Sequence, residues 1–360
     1  MEFGVGFQSH VDNSWRHTVL AEQMGFDQAW MVDSQLIASD VFVCLALAAH
    51  HTSRIRLGTG VAIAGTRLAP VTAHSIASIN RLAPGRTFLG IGTGHTAMRI
   101  MGARPVKAKA FRDYLRVLRG LLQGEEVEHE LNGEVRPIRF LDRELECLNL
   151  DDPVPIYVGA NGPKALRAAG AYGDGRICAG NEPLGVLARN LDIIREGAAE
   201  PGREVTDDFH TAALTFACVM RPGETLASER VIDHVDSAVV STLHYWYELY
   251  QEWGRDDFVS SRVRGVWEDY RTYVETTMPA ERRHQMLHRG HCAFCPPEER
   301  RFITPDMIRI AGGLVGEPDE IVERIGQLAA AGLKEVTLLP PRAMMRENFR
   351  EFAEQVMPRL

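Results

Sequence analysis

His95 closes the segment Gly90-Ile-Gly-Thr-Gly-His95, and its imidazole can exchange a proton near neutral pH beside whatever the glycines hold. Glycines let a backbone approach a flat or anionic ligand closely. A second group stands in Trp30-Met-Val-Asp-Ser-Gln35, where Asp33 offers a general base or ligand anchor and Ser34 an orienting hydroxyl. Helix capping is the plainer use of such an Asp-Ser pair. In Pro155-Ile-Tyr-Val-Gly-Ala-Asn-Gly-Pro-Lys-Ala-Leu-Arg167 a strand runs through a glycine turn into a helix. The free N–H groups of that helix start, with Lys164, suit a phosphate. Gly173-Asp-Gly-Arg-Ile-Cys-Ala-Gly180 brings a further strand up beside it.

Two other patterns invite chemistry and fall short of it. His284, His288, His291, Cys292 and Cys295 suggest zinc, but one C-x-x-C pair supplies two ligands and a structural site wants a second well-spaced pair. The three histidines stand at helical spacing, so they read as the polar face of an amphipathic helix, and no metal is expected. Gly90-Ile-Gly-Thr-Gly94 lacks the third glycine and the later acidic residue of a dinucleotide fingerprint.

The elements that must position these residues alternate. Apolar runs at Phe3–Phe7, Gln28–Val32, Ile55–Val61, Phe88–Ile91, Pro155–Val158, Gly175–Ala179, Thr211–Val219 and Glu335–Leu339 read as strands, each followed by a helical pattern. Eight such units point to a (β/α)8 TIM barrel formed by one domain over residues 1–360, rather than an open doubly wound sheet. Active sites of this architecture lie at the C-terminal ends of the strands, where Asp33, His95 and the glycine turns all fall. The rhythm breaks twice. Residues 124–149 are charged and β-rich around Leu131-Asn-Gly-Glu134, a hairpin excursion. Residues 221–313 carry aromatic helical segments such as His244-Tyr-Trp-Tyr-Glu-Leu-Tyr250, a helical insertion whose aromatics read as core or interface and which could roof a substrate pocket.

Composition narrows the function classes. A formal charge of -8 over 360 residues, without basic runs interleaved by aromatics, argues against nucleic acid as a partner. No apolar run reaches membrane-spanning length, and Met1-Glu-Phe-Gly-Val-Gly-Phe7 begins directly as a strand rather than as a secretory signal. Of the six cysteines, Cys44, Cys178 and Cys218 sit in apolar segments as small hydrophobes, which suits a reducing cytoplasm.

The chain resembles the luciferase-like monooxygenase superfamily, in its methylenetetrahydromethanopterin reductase and deazaflavin-dependent branch. The resemblance rests on Asp33-Ser-Gln35 with Asp40-Val-Phe, Thr52-Ser-Arg-Ile-Arg-Leu-Gly-Thr-Gly-Val61 and Arg81-Leu-Ala-Pro-Gly-Arg-Thr-Phe-Leu-Gly-Ile-Gly-Thr-Gly94. It continues through Pro155 to Lys164, Gly173-Asp-Gly175 and Leu314-Val-Gly-Glu-Pro-Asp-Glu-Ile321. It implies a (β/α)8 barrel with the 5-deazaflavin coenzyme F420, or alternatively FMN, across the mouth. A non-proline cis peptide would fall at Gly60-Val61, and Ala62 would follow it at the ring. Gly92, Thr93 and Gly94 would meet the ring edge, and Gly159, Ala160, Asn161, Gly162, Lys164, Ala179 and Gly180 the remaining cofactor. His95 would donate or accept the proton, with Asp33 and Ser34 orienting. The chain departs from the family pattern at His95, where relatives often carry an acidic residue, and at Val61, where many have an asparagine-proline pair.

The expectation is therefore an oxidoreductase that moves a hydride between a deazaflavin and a small organic substrate, as a homodimer or higher homo-oligomer. An FMNH2-dependent monooxygenase is the alternative within the superfamily. A non-catalytic flavin-binding barrel and a metal-dependent barrel hydrolase are the readings from other classes.

Overall fold

Strands buried on both faces need nearly continuous apolar runs, and those runs close here into a barrel. The computed structural model describes residues 1–180 and 182–360. β1 (Glu2–Gln8) leads to α1 (Ser14–Gln23), β2 (Gln28–Val32) to α2 (Val41–His51), and β3 (Arg56–Ile63) to α3 (Ala69–Leu82). β4 (Thr87–Gly92) is followed by a short α4 (His95–Ile100) and then α5 (Ala108–Leu122). The hairpin β5 (Val127–Leu131) and β6 (Glu134–Ile138) turns at Asn132-Gly133, both with positive φ, before β7 (Ile156–Gly159) and α6 (Pro163–Tyr172). β8 (Gly175–Ala179), α7 (Leu184–Ala199) and β9 (His210–Thr215) follow. β9 does not run on to Val219 as the sequence suggests. The chain breaks at Phe216, and β10 (Ala217–Val219) leaves the barrel.

The insertion then contributes α8 (Glu229–Trp253), α9 (Arg264–Thr277), α10 (Arg283–Met286) and α11 (Pro305–Ala311). β11 (Leu314–Gly316) returns to pair in parallel with β10, so this small ladder brackets the insertion. α12 (Pro318–Ala330), β12 (Glu335–Leu338) and α13 (Met345–Gln355) complete the chain. The closed parallel barrel runs β1-β12-β9-β8-β7-β4-β3-β2, which is the expected eight-stranded (β/α)8 fold. The order is also what makes the site: β2, β3, β4, β7 and β8 are consecutive neighbours.

The lumen is a packed core. Trp30, Phe88, Tyr157, Ile177 and Ala212 fill it, with Val61 and Leu214 packed against them. The Trp30 and Phe88 rings lie 4.4 Å apart at 57°. Beneath them the fully buried Glu335 accepts hydrogen bonds from Trp30 Nε1 at 2.7 Å and Thr337 Oγ1 at 2.6 Å, and pairs with His210 Nε2 at 2.6 Å. A carboxylate so buried is tolerable because its oxygens are satisfied. The aromatics of the insertion form a second core: Tyr247, Trp267 and Tyr270 are at most 1% exposed. They therefore serve as core, as their spacing predicts. Among the described residues no helix is long and apolar enough to cross a membrane. Cys44, Cys178 and Cys218 are buried free thiols.

Gly58 shows how tightly the lumen is filled, since a Cβ there would stand 2.2 Å from the Phe88 ring. Gly58→Ala is expected to destabilise the protein by about 1–3 kcal/mol, the usual cost of overpacking. Urea denaturation of the two proteins measures it.

Candidate active site

The C-terminal ends of four adjacent strands lay the glycine turns side by side. In order around the rim come Gly60–Ala62 from β3, Gly92–Gly94 after β4, Gly159–Gly162 after β7 and Ala179–Gly180 after β8. The Gly60-Val61 peptide is cis, and the β3–β4 register shifts between Thr59 and Ala62. Along this arc Val61, Thr93, Gly159 and Gly180 are half-buried, and Asn161, Gly162, Lys164 and Ala179 are exposed. Gly60, Ala62, Gly92, Gly94 and Ala160 are buried. Ala62 and Ala160 direct their methyl groups into the core between barrel and helices, so neither side chain faces the mouth. The Gly180 N–H is already donated to the Leu214 carbonyl at 2.8 Å.

α6 ends the arc with an open first turn. Its N-cap Gly162 has no side-chain cap, Pro163 follows, and a Cβ built on Gly162 meets nothing within 4 Å. Uncapped N–H groups at a helix start, beside the exposed Lys164, fit the phosphate part of a nucleotide-like cofactor, and the half-buried Val61 at the barrel axis fits a flat ring. The donor set therefore accommodates the group that the sequence implies.

His95 is not on a loop. Gly94 takes a left-handed conformation with φ 80°, and His95 opens α4 immediately after it. The His95 ring meets Tyr245 of α8 edge to face at 5.8 Å between centroids, so the insertion does stand over the mouth at this point. His95 is exposed at the surface of the mouth, yet desolvation by the atoms packed around it, then the nearby Arg99 guanidinium, lowers the imidazole pKa from its ordinary 6.5, while Glu248 and Glu252 oppose the shift. Arg99 in turn pairs with Glu252 at 2.9 Å and stands 3.5 Å from Glu248.

Asp33 is engaged in the fold rather than free as a base. It is 3% exposed and pairs with Arg67 Nη1 at 2.5 Å, while it accepts from Gln35 Nε2 at 2.7 Å and from the Ile63 N–H at 3.3 Å. Arg67 Nη2 also reaches Asp40, the cap of α2, at 2.8 Å. One guanidinium thus ties the ends of β2 and β3 together and fixes the loop after the cis peptide. Ser34 is buried beside it, and its carbonyl accepts from Ala38 at 3.0 Å. A second buried arginine, Arg176, does the same on the other side of the mouth. It donates to the Ala160 carbonyl at 2.8 Å and binds Glu182 through two bonds of 2.7 Å. Sequence reading passes over Arg67, Arg176 and Tyr245, yet a charged residue inside the apolar strand Gly175-Arg-Ile-Cys-Ala179 is itself the signal of a buried pair.

The histidine and cysteine cluster differs from expectation. α10 spans Arg283–Met286 alone, so His284, His288 and His291 share no helical face. His288 turns inward against Glu248, and Cys292 approaches Ser241 Oγ at 3.9 Å, while Cys295 donates to the Pro296 carbonyl.

A filled parallel barrel with a glycine-lined rim, a proton-exchanging side chain over it and an open helix N-terminus at its edge is the build of a barrel enzyme that carries a flat, phosphorylated cofactor. The luciferase-like monooxygenase family model matches residues 4–335, and the chain belongs to that family, which makes it an oxidoreductase. It is 35% identical over 224 residues to a 5,10-methylenetetrahydromethanopterin reductase of Methanolobus tindarius, a match covering 61% of this chain and 65% of the relative. An F420-dependent glucose-6-phosphate dehydrogenase of Beutenbergia cavernae is 29% identical over 96% of this chain and 92% of its own. Among solved structures, the coenzyme F420-dependent tetrahydromethanopterin reductase of Methanopyrus kandleri superposes with a TM-score of 0.67 at 22% identity, over 99% of each chain. That likeness is one of fold.

Burial pushes the Asp33 carboxyl above its ordinary 3.8 even though Arg67 and the Ile63 N–H pull the other way. Without Arg67 the folded protein holds the Asp33 proton more tightly than the unfolded chain does, so stability declines as pH rises above 3.8 towards the folded-state value and does not recover. Arg67→Gln is expected to cost about 3 kcal/mol at neutral pH, less at pH 4.5, with Asp33→Asn restoring most of it in the double variant. Denaturation curves of the set at both pH values check this.

Proposed function

We propose that this chain is a deazaflavin-dependent oxidoreductase that transfers a hydride between coenzyme F420 and a small organic substrate. The observation that carries the reading is the set of adjacent strand-end turns after β3, β4, β7 and β8, with Val61 half-buried among them and the open α6 start and Lys164 exposed, in a chain with an F420-dependent relative over nearly its whole length. When bound, the deazaflavin supplies the hydride acceptor or donor. The protein supplies placement, dryness and the proton.

Val61, Thr93 and the rim turns would hold the cofactor, with the α6 N–H groups and Lys164 at its phosphate. Arg67 and Arg176 keep the two sides of the rim in register, and the filled lumen below excludes water from beneath the ring. Tyr245 and its helix shield the face where substrate enters. His95, neutral at pH 7 because its pKa is lowered, takes the proton released as substrate is oxidised and returns it when the reaction runs in reverse. Asp33 and Ser34 act as positioning residues beneath this loop, not as acids or bases.

His95→Asn should lower kcat about 10²–10⁴-fold and leave the F420 dissociation constant within a few-fold of wild type. In the wild type, kcat/KM for substrate oxidation should rise with pH through a midpoint below 6.5 to a plateau. Anaerobic turnover by F420 absorbance measures both. Unchanged kcat in His95→Asn would remove the proton role, and substrate-dependent oxygen uptake with reduced FMN would remove the hydride-transfer reading.

A further inference from the structure

Three imidazoles that are distant in sequence converge inside the insertion. His244 on α8, and His288 and His291 on the turn after α10, each offer one ring nitrogen, and these atoms lie within 4.8 Å of one another. Ring centroids are 6.1 Å apart for His244 and His288, and 5.8 Å for His288 and His291. One nitrogen of each ring has a polar neighbour. His244 Nε2 pairs with Glu299 at 2.8 Å, His288 Nε2 pairs with Glu248 at 2.7 Å, and His291 Nδ1 lies 3.4 Å from Ser241 Oγ. The Nδ1 atoms of His244 and His288, residues each 2% exposed, have no hydrogen-bond partner.

Where Nε2 donates its hydrogen to the carboxylate, the lone pair stands on Nδ1; burial pushes Glu299 up to about 8, so an ion bound at His244 would also displace the Glu299 proton. That is the tautomer a metal binds, and the carboxylates behind His244 and His288 are the outer-shell support seen at histidine-metal sites, while His291 has the Ser241 hydroxyl beside it. Two buried, unpaired nitrogens would otherwise each cost the desolvation of a polar atom. We propose that His244, His288 and His291 bind one zinc ion, leaving its fourth position for water. Zinc–nitrogen bonds of about 2.0–2.1 Å require the three rings to draw in from their present separation.

The ion would staple α8 to the turn at residues 287–292. That turn rests on the barrel rim through Gln8 Nε2, which donates to the His291 carbonyl at 3.1 Å. On its other side Glu248 links His288 to Arg99 in the helix that His95 opens. A zinc here fixes the roof of the mouth and takes no part in the transfer of hydride.

Chelator-treated, tag-free full-length protein titrated with Co²⁺ tests the site without reference to cofactor or turnover. One equivalent per chain should give the visible bands of four-coordinate cobalt, and one equivalent of Zn²⁺ should abolish them. Glu299→Gln should weaken Co²⁺ binding about 10–100-fold, and His288→Asn and His244→Gln should eliminate it. Should either histidine variant fail to fold by circular dichroism, Glu299→Gln decides. Absence of stoichiometric binding in the wild type overturns the site, as does unaltered affinity in Glu299→Gln or in folded histidine variants.

Discussion

The filled barrel lumen is the constraint on which the rest of the site depends. Trp30, Phe88 and Tyr157 occupy the interior above a carboxylate floor at Glu335, so the barrel is closed beneath its rim. Because the strands are parallel, every rim turn leads from a strand's C-terminal end towards a helix start, where N–H groups are free. Closure in the order β2-β3-β4-β7-β8 then sets separate glycine motifs side by side on the rim. Backbone, rather than any single side chain, makes the cradle.

Such a cradle is only as good as its spacing, and buried charges set that spacing. Arg67 joins Asp33 to Asp40, and Arg176 joins Ala160 to Glu182, on opposite sides of the mouth. Each is a buried pair that is costly to break from one side. The same logic extends into the roof, where Glu248 touches both Arg99 and His288. Positioning of His95 by the barrel and of Tyr245 by the insertion therefore meets in one network of ionic contacts.

All eight barrel strands were legible because strands covered on both faces keep apolar runs bounded by glycine and turn residues. The break at Phe216 was not, since Leu-Thr-Phe-Ala-Cys-Val is apolar without a glycine or proline, and only tertiary pairing with Leu314–Gly316 divides it. α4 is too short to show a helical period, so His95 read as a loop residue. The candidate arc was legible as motifs, whereas the roles of its members were not: Ala62 and Ala160 face the core, and Asp33 is held by an arginine 34 residues away. Spacing also grouped His284 with His288 and His291. In space the third ring is His244, which lies on a different helix.

The family membership and the rim geometry converge on one claim, that the mouth is shaped for a deazaflavin. Equilibrium titration of the purified protein with F420 and, separately, with FMN, followed by cofactor fluorescence, tests it most directly. Saturable binding of one F420 per chain, at least tenfold tighter than FMN and weakened by Lys164→Ala, is the predicted result. Tight FMN binding with no measurable F420 binding would contradict the account.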